Sequence, residues 1–396
     1  MKNILIFFRF FPSVGGTERV FTILANSFIT NGYDVHIVSI EKSLDVPMFY
    51  LDKQVKCSIL PHKNVACQEN IKTLHSYLID NEIDYIINND SIKEAVKLCS
   101  EAKENTNIKL VTIHHGDIVY KKEYIYLMAQ QGSGLRRFLK NLFFSLYLKY
   151  QNHNRRENHK FNLLKSDKYI LLSNSFKKYL PQNDKVMAIN NPLSYMREEF
   201  SGTKENMVIL VGRLSEPHKR VLLSLKIWSI VADKHPDWKY YIVGDGEDRG
   251  LIENFIQDNN IPNVVLTGKT ESLQYYKRAK ILIMTSAFEG WGLVINEAMQ
   301  NNCVPIVMYS FDSLPDIIAD QENGFISPNN DIEVFADKLD RLMSDEMMWA
   351  DMSKKAYIST ARFIPENIIK QWIDMLNTLS VSYTHLRAHE TSLHLV

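Results

Sequence analysis

The sequence predicts an α/β protein made of two doubly wound parallel-sheet lobes. Three observations carry this expectation. The chain has 396 residues, more than one ordinary core accommodates. It opens with a strand–helix–strand pattern at 3–10, 17–30 and 34–40, with Gly15-Gly16 in the first turn and Asn31-Gly32 in the second. After the polar stretch 201–206 the same alternation starts again.

Further short apolar strands are expected at 55–60, 84–88, 109–113 and 169–173, separated by helical spans, and the first lobe ends near Pro192. In the second lobe, strands are expected at 207–211, 240–243, 264–266, 281–285 and 304–308. The helical stretch 365–379 carries Ile368, Ile369, Trp372, Ile373, Met375 and Leu376 as a broad apolar stripe, which predicts packing back across the first lobe. The expected division is 1–192, 193–362, a returning helix at 363–380, and a non-native tail at 381–396. That tail resembles a translated sequencing adapter, and its His385, His389 and His394 are set aside as inert.

Composition narrows the function classes. Hydrophobic residues make up 45% and charged residues 23%, an ordinary soluble balance that excludes disordered and fibrous classes. Lys plus Arg and Asp plus Glu number 46 each, so nucleic acid is not expected as a partner. Cys57, Cys67, Cys99 and Cys303 have no zinc-like spacing and fit a reducing compartment, so a cytoplasmic location is expected. The apolar run 4–11 is too short to span a bilayer and reads as a buried strand.

The sharpest constellation runs from Phe288 through Ala298, directly after the strand at 281–285. It sets Glu289 at the strand's carboxyl edge and Glu297 eight residues on, about a turn and a half into a helix that begins near Gly292. Helix-start amides can receive a diphosphate oxygen, and a carboxylate can accept bonds from vicinal ribose hydroxyls. A nucleotide diphosphate sugar offers both. The second constellation, Val211-Gly212-Arg213-Leu214 with Lys219, places two cations at one strand end, where they can offset charge growing on a departing diphosphate. In the first lobe, His114 and His115 end the strand at 109–113, and the Gly15-Gly16 turn permits close backbone approach.

With Pro12-Ser13-Val14-Gly15-Gly16-Thr17-Glu18-Arg19, Thr112-Ile113-His114, Asn190-Asn191-Pro192, Val243-Gly244-Asp245-Gly246 and Thr267-Gly268, these motifs span nearly the whole chain. In this order they resemble the large bacterial family of retaining glycosyltransferases with the GT-B fold (glycosyltransferase family 4, glycosyl transferases group 1). The resemblance implies two facing Rossmann-like domains with the donor cleft between them. It implies that Glu289 contacts the donor sugar and Glu297 the nucleotide ribose. It makes Arg213 and Lys219 the diphosphate clamp, with backbone support from Gly16, Gly292 and Leu293, and sets His114 beside the donor sugar. One departure is His218-Lys219-Arg220, where a Lys-Gly pair often stands in relatives.

The implied activity is transfer of a sugar, with a UDP-hexose or UDP-N-acetylhexosamine as the expected donor, to a glycan or lipid-linked acceptor. The chain contains no Asp-x-Asp pair, so no metal and no cofactor are expected; cations of the protein take that place. Retention without an evident nucleophile fits a front-face reaction, in which the leaving phosphate helps to take the acceptor's proton. A nicotinamide dehydrogenase is disfavoured because 12–17 lacks Gly-x-Gly-x-x-Gly. A nucleotide-sugar epimerase and a catalytically silent partner subunit stay as alternatives. The stretch 134–160 interleaves Arg136, Arg137, Lys140, Lys149, Arg155, Arg156 and Lys160 with Phe and Leu. It suits either an anionic membrane at the inner face of the plasma membrane or a helix packed on the first lobe.

Overall fold

A computed structural model describes residues 2–13, 15–130, 134–198 and 202–392. Two compact units emerge: Met1–His115 with Arg155–Pro192 and Phe363–Val396, and Gly116–Asn154 with Leu193–Arg362.

The first unit is built on a seven-stranded sheet in the order β3-β2-β1-β4-β5-β6-β7. Its strands are β1 (Asn3–Phe10), β2 (Asp34–Glu41), β3 (Lys56–Ile59), β4 (Tyr85–Asn88), β5 (Lys109–His114), β6 (Lys168–Leu171) and β7 (Val186–Ala188). Every neighbouring pair is parallel. Strands covered on both faces read as continuous apolar runs, and Ile4 through Phe8 are buried accordingly. Helices α1 (Gly16–Thr30), α2 (Gln68–Asp80) and α3 (Lys93–Ala102) cover the sheet, with Leu74, Leu78, Leu98 and Cys99 buried among Leu5, Phe7 and Ile86.

The second unit receives α4 (Lys122–Gln130), α5 (Gly134–Leu142) and the start of α6 (Phe144–Lys165). This corrects the expected division, which kept 116–154 in the first lobe. The physical reason is local: Tyr124 stacks on Phe288 at 4.7 Å between ring centroids, and Lys121 Nζ pairs with Asp312 Oδ1 at 3.0 Å. The unit's sheet follows the order β10-β9-β8-β11-β12-β13. These strands are β8 (Glu205–Val211), β9 (Lys239–Val243), β10 (Val264–Gly268), β11 (Ala279–Met284), β12 (Val304–Met308) and β13 (Phe325–Ser327). All pairs are parallel. Helices α7 (Glu216–Lys219), α8 (Val221–Val231), α9 (Arg249–Asp258), α10 (Leu273–Arg278), α11 (Leu293–Met299), α12 (Ile332–Ser344) and α13 (Glu346–Ser359) complete it. Trp228 and Leu225 of α8 pack with Phe335 and Leu339 of α12 on the buried faces of β8 and β12.

In each sheet the strand order reverses once, between β1 and β4 and between β8 and β11. Ligands of open α/β sheets bind at the carboxyl ends of strands beside such reversals. The last helix, α14 (Pro365–Ser392), packs on α1 in the first unit, with Trp372 edge-on to Phe28 and Tyr85 Oη donating to the Leu376 carbonyl at 3.1 Å. It runs past the expected end at Leu379, and the side chains of His385 and His389, like the whole of His394, lie outside the described residues. Among the described residues no helix is long and apolar enough to cross a membrane.

Candidate active site

The charged centre of the second unit forms at the β8/β11 reversal. β8 ends at Val211, and the chain turns through Gly212, Arg213 and Leu214 into the short α7 that carries Lys219. β11 ends at Met284 and delivers Glu289 to the same edge. Lys219 Nζ donates to Glu289 Oε1 at 2.6 Å, with the two side chains only 15% and 14% exposed. Gly212 leaves room beside the lysine stem: a Cβ there would stand 3.0 Å from Lys219 Cε. Burial alone would raise the Glu289 carboxyl; the Lys219 and His218 charges and hydrogen bonds from Lys219 and Ser286 outweigh it and hold the group below its ordinary value.

The turn is braced backbone on backbone. Gly212 N donates to the Val243 carbonyl and Leu214 N to the Asp245 carbonyl, each at 3.0 Å. A Cβ on Gly244 would lie 2.0 Å from the Gly212 carbonyl oxygen, and one on Gly246 2.2 Å from that of Leu214. The Val243-Gly244-Asp245-Gly246 motif is thus a steric requirement of the neighbouring turn.

Arg213 and Lys219 share this edge but not their surroundings. Arg213 is 71% exposed and donates to Glu247 Oε2 at 2.8 Å. Glu297, on α11, is buried and accepts from Tyr276 Oη at 2.8 Å, so a tyrosine from α10 orients the second carboxylate. Gly292 caps α11 at φ 74, where a side chain would also meet Ile295 Cδ1 at 3.0 Å, and Leu293 opens the helix.

Sequence reasoning missed Arg220. It occupies a left-handed conformation, φ 53, where glycine is the usual solution, and its side chain is buried. Its guanidinium donates to the Thr285 carbonyl, to the Ser286 carbonyl at 3.0 Å, to Asn330 Oδ1 at 2.7 Å and to Asn329 Oδ1 at 2.9 Å. Burial pushes the group down to about 10, against the opposing pull of Glu123 and Glu216, so it stays charged at neutral pH. Arg220 ties the end of α7, and with it Lys219, to the segment that follows β11. The only signal for it was the departure from Lys-Gly.

In the first unit, Gly16 begins α1 just after β1, while Val14 of the same motif lies outside the described residues. The turn is held by the buried Glu18, which accepts from the Ser13 amide and from the Met48 amide at 3.2 Å. Arg155 Nη2 approaches His114 Nε2 at 3.3 Å. A guanidinium can only donate, so Nε2 accepts and Nδ1–H faces Ser91 Oγ at 2.8 Å. A cavity of about 290 Å³ at the β1/β4 reversal is lined by Arg9, Ser13, Thr17, Glu18, Asp90 and His115 among others. His115, whose Nε2 meets Asn89 Oδ1 at 2.6 Å, lines it.

Burial holds the His115 imidazole down to about 4 from 6.5. The unfolded chain therefore binds this proton more readily, and the contribution to stability is complete above pH 6.5 and lost as pH falls towards 4. The expected loss is about 3 kcal/mol over that window. Urea unfolding across it should show a shallower slope for His115→Gln; an unchanged slope would mean that the acid sensitivity originates elsewhere.

Residues 194–359, which carry the charged centre, match the family described as glycosyl transferases group 1. An uncharacterized glycosyltransferase of Haemophilus influenzae is 28% identical over 95% of this chain and 100% of its own. A GalNAc-alpha-(1->4)-GalNAc-alpha-(1->3)-diNAcBac-PP-undecaprenol alpha-1,4-N-acetyl-D-galactosaminyltransferase of Campylobacter jejuni is 25% identical over 91% of this chain and 95% of its own. Among solved structures, S. aureus TarM in complex with Fondaparinux, alpha-GlcNAc-glycerol and UDP aligns at TM-score 0.70 with 15% identity, covering 95% of this chain and 100% of its own. The fold is GT-B, and the protein is a glycosyltransferase.

Proposed function

We propose that the protein transfers a sugar, with retention of configuration, from a UDP-hexose or UDP-N-acetylhexosamine to a glycan or lipid-linked acceptor in bacterial surface polysaccharide or glycolipid synthesis. The observation that carries this reading is the Lys219–Glu289 pair at the β8/β11 reversal, with Glu297 following on α11. The names of the Campylobacter relative and of the UDP-bound TarM structure support the acceptor and donor classes.

In this reading Lys219 and Arg213 offset the charge on the departing diphosphate, Glu289 contacts the donor sugar and Glu297 the ribose. Gly16, His114, Gly292 and Leu293 complete the proposed donor contacts. The bond from the anomeric carbon to the phosphate oxygen breaks, the acceptor oxygen bonds to that carbon on the same face, and the acceptor proton passes to the departing phosphate. No metal is assigned a part: Glu247 is engaged with Arg213, and the clamp supplies the positive charge.

The test is purified protein with a panel of nucleotide diphosphate sugars, followed by NMR of the product anomer. Turnover with retained configuration, unchanged by a chelator in single-turnover transfer, is the expected result. An inverted product, C4- or C2-epimerised donor without acceptor, or loss of single turnover restored by Mg²⁺ or Mn²⁺ would each overturn part of the assignment.

The clamp and ribose contacts should separate kinetically. Glu297→Gln keeps an acceptor for Tyr276 but loses charge, so the donor KM should rise about tenfold with kcat little changed. Arg213→Ala removes an exposed side chain, so the melting temperature should hold while kcat falls. Equal effects of the two on turnover at saturating donor would contradict this division.

A further inference from the structure

We infer that Lys204 is a positioning residue for the second carboxylate of the site: it fixes Glu297 from two sides and so sharpens selection of a nucleotide that carries both ribose hydroxyls. This role presupposes the assignment of Glu297 to the donor ribose. Lys204 stands directly before β8, and its connection to α11 is made entirely by contacts distant in sequence.

The hydrogen bonds close a circuit. Lys204 Nζ donates to the Tyr276 carbonyl at 2.8 Å and to the Asn301 carbonyl. Tyr276, on α10, donates its hydroxyl to Glu297 Oε2 at 2.8 Å, so the first branch ends on the carboxylate. Asn301, just past α11, donates through Nδ2 to the Glu297 backbone carbonyl at 2.8 Å, so the second branch ends on the main chain of the same residue. The lysine is the member common to both. One ammonium thereby couples the entry to β8 with α10 and with the end of α11. A carboxylate accepts from two vicinal hydroxyls only when both of its oxygens are correctly placed, and that placement requires neighbours that are themselves held.

The chemistry of the position asks for more than packing. Tyr276 is fully buried and Glu297 is buried beside it, so the circuit runs through the interior of the unit. A cation drawn towards that interior loses hydration, and an apolar side chain of similar length would fill the space without this cost. Burial lowers the Lys204 ammonium to about 8, and the Cys303 thiol, itself pushed up to about 12 by burial, opposes the shift only in part. The charged neighbours along the chain, Glu205 and Arg278, pair with each other at 2.7 Å. At neutral pH the lysine is therefore a cation, and its bonds to the two carbonyls are of the stronger, charge-assisted kind. Above pH 8 it becomes a neutral amine that still donates, but more weakly.

The test is calorimetric binding of UDP and of 2′,3′-dideoxy-UDP to the full chain, with donor kinetics alongside. The wild type should prefer UDP by at least about tenfold, the scale of one hydrogen bond to a charged group. Lys204→Met should shrink that preference about fivefold through weaker UDP binding. It should leave dideoxy-UDP affinity and kcat within about twofold of wild type while the donor KM rises. Tyr276→Phe, which removes one hydroxyl and no cation, should shrink the preference as well. Adding Lys204→Met to it should bring little further loss, because both act through the same carboxylate. At pH 9 the wild-type preference should fall towards that of Lys204→Met, whose own value stays constant. An undiminished preference in Lys204→Met would overturn this role and leave the ribose assignment standing. A wild type that binds both nucleotides equally, or neither, would overturn both. Equal weakening of UDP and dideoxy-UDP in the variant, with a lower melting temperature, would make Lys204 a structural tie alone.

Discussion

Replacing Lys219 by methionine is expected to lower single-turnover sugar transfer by about three orders of magnitude, the scale on which removal of one fixed electrostatic contact to a developing anion is felt. The same change strips the buried Glu289 carboxylate of its ion-pair partner, so stability should fall by about 3 kcal/mol. Adding Glu289→Gln should return most of that stability without returning activity, because the neutral amide tolerates the site but leaves only Arg213 of the two cations proposed to meet the diphosphate. The pH dependence gives a second readout. In the wild type the Glu289 carboxyl lies below 4.5, so its contribution to stability is present above that value and is lost as pH falls through the lowered one. Without Lys219, burial becomes dominant and raises the carboxyl, so acid should favour the folded variant. The stability gap between variant and wild type should therefore narrow from pH 7 to pH 4 in urea titrations. A parallel offset at both pH values would mean that Lys219 does not control this carboxylate.

Arg220→Ala is expected to cost about 3–5 kcal/mol, among the largest losses available to a single substitution in this unit. It leaves the Thr285 carbonyl without its side-chain donor in a buried setting, leaves the Ser286 carbonyl with Ser310 Oγ as its donor, and frees the more accessible Asn329 and Asn330 side-chain oxygens. Arg220→Gly should be less harmful by about 1 kcal/mol, since it relieves the left-handed backbone at φ 53 while losing the same hydrogen bonds. Arg220→Lys should resemble Ala more than wild type, because an ammonium does not reproduce the planar fork. Urea midpoints rank the three directly. If Ala and Gly were equal, backbone strain would play no part; if both stayed within about 1 kcal/mol of wild type, the guanidinium would not anchor the turn.

Much of this arrangement is legible in the sequence because parallel strands buried on both faces leave continuous apolar runs, and every such run from 3–10 to 304–308 corresponds to a strand. The Glu289/Glu297 spacing and the Gly212 turn are legible for a related reason: local geometry follows from local sequence. What escapes is set by contacts distant along the chain. β7 and β13 are three-residue strands at or near a sheet edge, too short for any periodicity. The assignment of 116–154 to the second unit depends on Tyr124 meeting Phe288 and Lys121 meeting Asp312, neither of which announces its partner. Tyr276 gives no sign in sequence that it will orient Glu297, and Arg220 reads as one more exposed cation until its four acceptors are seen around it.

The pairing of β8 with β11 also governs when the charged centre can come into being. Lys219 and Glu289 are 70 positions apart, and β9 and β10 are made between the strands that hold them together. During synthesis the lysine emerges, and its turn can be braced by β9, long before any carboxylate exists to meet it. Non-local parallel pairings form late because the loop between them must first be closed. The ion pair is thus a marker of completed assembly: protection of the Ala287 amide, which donates to the His218 carbonyl at 2.8 Å, should arise with the last cooperative step of this unit's folding, and a nascent chain halted before Glu289 has the cation of the site without the partner that holds it in place.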